Sequence, residues 1–102
     1  MIKVSTVRRP IANSTNVKVD RTSVLGNPFF MKNEIMRNEV CDKFEVYFKK
    51  KMEERNNPVH TEMLRLYHIA AKGDLTLQCH CAPRRCHADT IKKFLDIHLN
   101  KA

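Results

Sequence analysis

Short runs of β-forming residues open the chain, Val4-Ser5-Thr6-Val7 and Val17-Lys18-Val19-Asp20, separated by Pro10 and the polar stretch Asn13-Ser14-Thr15-Asn16. Clustered or alternating β-formers bounded by turn residues predict two strands. From residue 34 the spacing changes. Met36, Val40, Phe44, Tyr47, Phe48 and Met52 recur every three or four residues, which predicts a helix from Glu34 to about Arg55 with Asn33 as its N-cap. Asn56-Asn57-Pro58 ends it. A second helix, from about Val59 to Lys72, carries Met63, Leu66, Tyr67, Ile69 and Ala70 on its apolar face before Gly73 stops it. Leu75 to His80 reads as a third strand, and Asp89 to Leu99 as a last helix with Ile91, Phe94, Leu95, His98 and Leu99 turned inward.

The order β-β-α-α-β-α predicts a small α/β structure of about three strands and three helices in two or three layers, with residues 1–102 forming a single domain. In such sheets ligands bind beyond the carboxyl ends of the strands. Two loops follow strands. Arg21 to Phe30 holds Gly26, the first of only two glycines, followed by Asn27-Pro28, so the backbone turns sharply there. Its apolar members Val24, Leu25, Phe29 and Phe30 are expected to be buried, holding Arg21 and Asn27 in place. The other loop, Cys79 to His87, meets the first at one sheet edge if the second and third strands run parallel.

Charge adds to this picture because it is unevenly placed. Nineteen Lys and Arg against eleven Asp and Glu give +8. Residues 1–33 carry six basic side chains and one acidic, residues 34–57 six of each, and residues 58–102 seven basic and four acidic. The long helix, Lys49-Lys50-Lys51 included, therefore adds no net field, and the positive excess lies in the segments that hold the two loops. An anionic partner, a nucleotide or nucleic acid, is the natural inference. No apolar run approaches the roughly 20 residues of a membrane helix. The N-terminus lacks a secretory leader's apolar region, so the expected setting is the cytoplasm, where thiols stay reduced.

Three of the four cysteines and two of the five histidines fall within Cys-His-Cys-Ala-Pro-Arg-Arg-Cys-His, residues 79–87. One reading is an anion pocket: Arg84 and Arg85 precede a helix whose first amides face the loop, and Arg21, Ser23, Asn27 and Arg37 add contacts. A second is zinc. Cys79, Cys81, Cys86 and His87 are ligands of kinds zinc accepts. Cys79 and Cys81 on a strand project to one face, but adjacent Cys86 and His87 diverge at a helix start and His80 points to the opposite face. A third is catalysis. Cys86 at a helix N-terminus beside two arginines is the expected nucleophile, with His87 and Asp89 to move protons. Cys79 to Arg85 also has the Cys-x5-Arg spacing of a phosphate-cradling loop, yet it lacks glycine, and Pro83 removes an amide. Cys41, within the long helix, is expected to be core.

The two loops together resemble a family described as domain of unknown function 4326, found in bacteriophages and bacteria. Its pattern is similar to Arg21, Ser23, Gly26, Asn27, Pro28 and Phe29, then Arg37, then Leu77, Cys79, Cys81, Pro83, Cys86, His87 and Asp89 in this sequence. Ala88 stands where the family usually has glycine, which bears on how closely a ligand approaches that backbone. The resemblance implies a phage-type accessory protein and carries no activity. The expected function is binding of a phosphate-bearing ligand in a basic cleft between the loops. The alternatives are an enzyme acting on a nucleotide or nucleobase through Cys86, His87 and Asp89, and an inhibitor that binds a host protein through its basic surface, stapled by zinc.

Overall fold

Three strands, β1 (Ile2–Thr6), β2 (Thr15–Lys18) and β3 (Leu75–Cys79), form one parallel sheet in the order β1-β3-β2 in the computed structural model, which describes residues 1–81 and 84–100. Between β2 and β3 lie α1 (Arg37–Glu53) and α2 (Pro58–Lys72), and α3 (His87–Asn100) follows β3. This is the α/β order that the hydrophobic pattern implies. Both N-terminal strands begin two residues earlier than their β-formers suggest.

The register explains which side chains are buried. Ile2 pairs with Leu75, Val4 with Leu77, and Val17 with Leu77 from the other side. Period-two alternation therefore sends Ile2, Val4, Val17, Leu75, Leu77 and Cys79 to one face. They join Phe44 and Phe48 of α1, Met63 and Leu66 of α2, and Ile91 and Leu95 of α3 in one core. Leu75 and Leu77 are fully buried, each worth roughly 1.5–3 kcal/mol.

On the opposite face Thr76 and Gln78 are buried although polar. The chain leaving β1 must cross β3 to reach β2, and residues 7–14 do so over this face. Ser14 Oγ lies 2.7 Å from Thr76 Oγ1, and Gln78 Nε2 donates to the Thr6 carbonyl at 3.4 Å. Asn16 braces the crossing: its Oδ1 accepts from the Ile11 amide, and its Nδ2 donates to the carbonyls of Ile11 and Ser14. The buried polar groups are thus matched rather than stranded.

The expected long helix begins differently. Glu34–Met36 form a turn of 3-10 helix before α1, and the Asn33 carbonyl accepts from the Met36 amide, whereas the Asn33 side chain makes no cap bond. The side-chain cap lies further on, where Asn57 Oδ1 accepts from the His60 amide at 2.9 Å and Pro58 opens α2. His98, expected to face inward, is exposed; its Nδ1 sits 2.9 Å from the Phe94 carbonyl and its ring stacks on Phe94. Among the described residues, no helix is long and apolar enough to cross a membrane.

Of the apolar residues in the Arg21 to Phe30 loop, Leu25 alone is buried. Phe29 is half-buried, and Val24 and Phe30 are exposed at 51% and 65%. Close backbone approach shapes this loop instead of apolar burial. A Cβ on Gly26 would stand 2.5 Å from the Asp20 carbonyl oxygen and 2.7 Å from Arg21 Cα. Gly73 is the opposite case, with extended backbone and open space where a Cβ would go. Gly26→Ala is therefore expected to destabilise the fold by about 1–3 kcal/mol in urea unfolding. Gly73→Ala should be neutral or stabilising by up to about 1 kcal/mol; equal costs for the two would contradict this account.

Candidate functional site

Parallel pairing of β2 with β3 puts the ends of both strands, and so both loops, at one edge of the sheet. They enclose a cavity of about 280 Å³ lined by Asp20, Arg21, Asn27 and Phe29 from one loop and by Cys79, His80, Cys81, Cys86 and His87 from the other. Arg37, Val40 and Cys41 of α1 close its third side. All four cysteines of the chain line this one space.

The first loop is fixed by its own side chains. Asp20 Oδ1 accepts from the Thr22 amide at 3.0 Å and the Thr22 hydroxyl at 2.5 Å, Ser23 Oγ accepts from the Leu25 amide, and Asn27 Oδ1 accepts from the Phe29 amide at 2.8 Å. These are the local bonds by which Asp, Ser and Asn hold turns. Ser23 is thereby a loop brace, outside the cavity wall. Asn27 keeps its Nδ2, which has no hydrogen-bond partner among the described residues. Arg21 donates to the Phe29 carbonyl at 3.2 Å and lies over the Phe30 ring at 5.5 Å.

The arginines expected to gather on a ligand are divided among other tasks. Arg37 grips Glu34 in a bidentate pair at 2.6 and 2.8 Å and donates to the Arg85 carbonyl at 2.8 Å. Glu34, with the Cys81 sulfur as second partner, holds its guanidinium proton more firmly than usual. Arg84 reaches Glu34 at 3.3 Å. Arg85 binds Asp42 at 2.8 Å, Glu45 at 3.3 Å and the Asn38 side chain at 3.1 Å. The arginine pair thus fastens the cysteine turn to α1. Arg85 is consequently committed away from Cys79, so the Cys-x5-Arg spacing does not make a phosphate cradle. Pro83, part of the sequence pattern there, lies outside the described residues.

His87 is equally committed. Nε2 donates to the Val19 carbonyl at 2.5 Å, Nδ1 lies 3.3 Å from Cys86 Sγ, and the ring packs edge-on against Phe44 at 5.1 Å. The imidazole therefore ties the end of β2 to the start of α3. Cys86 is buried, and hydrogen bonding with Cys79 together with burial pushes its thiol far above the ordinary value. That is the reverse of the lowered pKa expected from the helix end and the arginines, because desolvation and a thiol neighbour act at closer range. Asp89 Oδ2 accepts from the Cys86 amide at 3.1 Å, which closes the first turn of α3. Among the described residues, no three His, Cys, Asp or Glu side chains are placed to hold a metal ion together. The ring nitrogens of His87 are both engaged, so Cys79, Cys81, Cys86 and His87 do not fit a zinc site.

Sequence reasoning passed over the pair Asp20 and His80. The register Lys18 with Gln78 carries on to set Asp20 opposite His80, a signal available once parallel pairing is assumed. β3 ends at Cys79, the chain bends, and His80 enters the cavity wall instead of facing away from the cysteines. Its Nε2 donates to Asp20 Oδ2 at 3.0 Å; the carboxylate is buried while the imidazole is 67% exposed. Bonds from the Thr22 hydroxyl above all, and from His80, hold the Asp20 carboxyl below its usual range. Among the described residues, His80 Nδ1 has no hydrogen-bond partner.

Burial holds the His87 imidazole below the usual histidine range, so the unfolded chain takes up a proton that the folded one resists. The stability contributed by neutral His87 is complete above about pH 6.5 and declines as pH falls below it. Urea midpoints measured from about pH 7.5 down to 5.5 should fall for the native protein. His87→Asn should start lower and decline less steeply; an unchanged slope would place the proton uptake elsewhere.

A family model described as Domain of unknown function (DUF4326) matches residues 2–97. No curated protein and no solved structure matches the chain. The match runs from the first residue of β1 into the last turns of α3 and takes in both loops of the cavity, and the chain belongs to this family, DUF4326.

Proposed function

We propose that the cavity binds a phosphate-bearing ligand the size of a single nucleotide, with Arg21 and Asn27 on the phosphate. The observation that carries this reading is the unequal commitment of the arginines. Arg37, Arg84 and Arg85 each face a carboxylate, whereas Arg21 has no carboxylate partner among the described residues and lines the same cavity as the uncommitted amide of Asn27. Phe29, Met31 and Val40 supply an apolar wall for a base. A cavity of about 280 Å³ is at the small end for ligand sites, which favours one nucleotide unit within it. The reading includes the phage-type accessory role suggested by the loop pattern and a reducing cytoplasm, where Cys81 in the cavity wall stays a thiol.

Titration calorimetry with adenosine 5′-monophosphate tests it. Arg21→Ala should weaken binding about 10- to 100-fold, the effect of a lost charge-assisted contact, while Arg84→Ala changes little. Undiminished binding by Arg21→Ala would overturn the assignment.

The Asp20–His80 pair favours a second reading, in which the cavity also transforms its nucleotide. A buried carboxylate that orients an imidazole in the cavity wall, with the other ring nitrogen unpartnered among the described residues, is the arrangement of a general base. Asp20 and His80 take this role in place of Cys86, His87 and Asp89, whose polar atoms are engaged in the fold. Chromatography of nucleoside monophosphates incubated with the protein should reveal a product, lost in His80→Gln while affinity is kept. Wild-type protein that leaves every nucleotide intact would remove this reading.

A further inference from the structure

Beyond the cavity, a second and more open depression of about 760 Å³ runs from the outer edge of β2 to the junction of α1 and α2. Thr22 lines both spaces, so the two meet at that residue. The groove carries Lys18, Arg55 and Arg65, with the hydroxyls of Thr22, Ser23 and Thr61 between them. Arg65 is held by Glu62 at 2.6 and 2.9 Å. Lys18 and Arg55 are exposed and have no carboxylate partner among the described residues. The first turn of α2, at Asn57 and Pro58, borders the same groove and presents the positive end of its helix dipole.

We propose that this groove receives the backbone of single-stranded nucleic acid whose terminal nucleotide occupies the cavity. The inference rests on the nucleotide reading of that cavity and names its ligand as a polymer end. Three observations converge on it. The cavity, at about 280 Å³, has room for one nucleotide unit; a longer channel adjoins it at Thr22; and that channel carries two uncompensated cations with the hydroxyls of Ser23 and Thr61, groups that contact phosphates without reading sequence. A duplex end is too wide to feed one nucleotide into so small a space without unpairing. An acidic peptide lacks the base that the wall of Phe29, Met31 and Val40 would accommodate. Among the described residues, Phe29 is the one Phe, Tyr or Trp in the cavity wall and no aromatic ring lines the groove, so binding along the groove depends on charge rather than stacking, tolerates sequence and weakens steeply with salt.

Fluorescence anisotropy with a 3′-labelled ten-nucleotide oligothymidylate bearing a 5′-phosphate, competed against thymidine monophosphate and against the same strand in a duplex, provides the test. The single strand should bind about ten-fold or more tighter than the mononucleotide and the duplex. Lys18→Ala with Arg55→Ala should abolish that advantage, reduce the log-log salt slope by about 1.4, at roughly 0.7 per phosphate, and leave mononucleotide affinity unchanged. Both side chains are exposed and without structural bonds, so the double variant should fold, as thermal melting will verify. Lys49→Ala with Lys50→Ala removes the same charge elsewhere and should retain tight binding. A single strand that binds no tighter than the mononucleotide, equal binding of the duplex, or a Lys18/Arg55 variant no weaker than the Lys49/Lys50 variant overturns the proposal. The Arg21→Ala variant reports on the cavity separately: if it leaves both ligands unaffected, the nucleotide reading fails on its own account.

Discussion

The structure depends on β3. It is the strand that both other strands need, since β1 and β2 pair with it and not with each other, and all five of its residues are buried. Its two faces solve different problems: Leu75, Leu77 and Cys79 fill the helix-facing core, while Thr76 and Gln78 must find polar partners beneath the crossing segment. The same strand ends at the cavity. Any displacement of β3 would therefore disturb the core, the crossing and the cysteine turn together, which links the position of the candidate site to the most strongly buried element of the fold.

Around that strand, groups with evident chemistry are used first as fasteners. His87 joins β2 to α3, Arg85 and Arg84 tie the turn to α1 and its leading 3-10 turn, and Arg37 grips both Glu34 and the turn backbone. Each is engaged by a partner within the protein. What faces the cavity with capacity to spare is a smaller set, Arg21, Asn27 and His80. A densely functional sequence motif and a densely functional surface are thus different things here, because most of the motif's polarity is directed into holding the motif in place.

Much of this was legible in the chain. Periodicity located the three helices and the three strands, and loop composition singled out both segments that line the cavity. What the pattern did not reveal depended on partners distant in sequence. Arg85 looked like a ligand contact because Asp42 and Glu45 lie forty or more residues away, on a helix whose charges cancel in the sequence. Cys86 looked reactive because the helix end and the arginines were visible, whereas burial beside Cys79 required the folded core. His80 was assigned to the wrong side because strict alternation was continued one residue beyond the end of the strand. Val24 and Phe30 were expected inside because apolar loop residues usually anchor; here a glycine against backbone does that work.

The crossing of residues 7–14 also governs how the protein can be made. A nascent chain that stops short of Leu75 contains β1 and β2 and yet no sheet, because the strand that belongs between them has not emerged. During that interval Ile2, Val4, Val17 and Val19 lack the strand that pairs with β1 and β2, and the segments of α1 and α2 are the parts of the core already made. The last strand to be synthesised must then enter between two that are already tethered by eight residues, and the cavity, walled by the end of that strand, cannot be completed before it does.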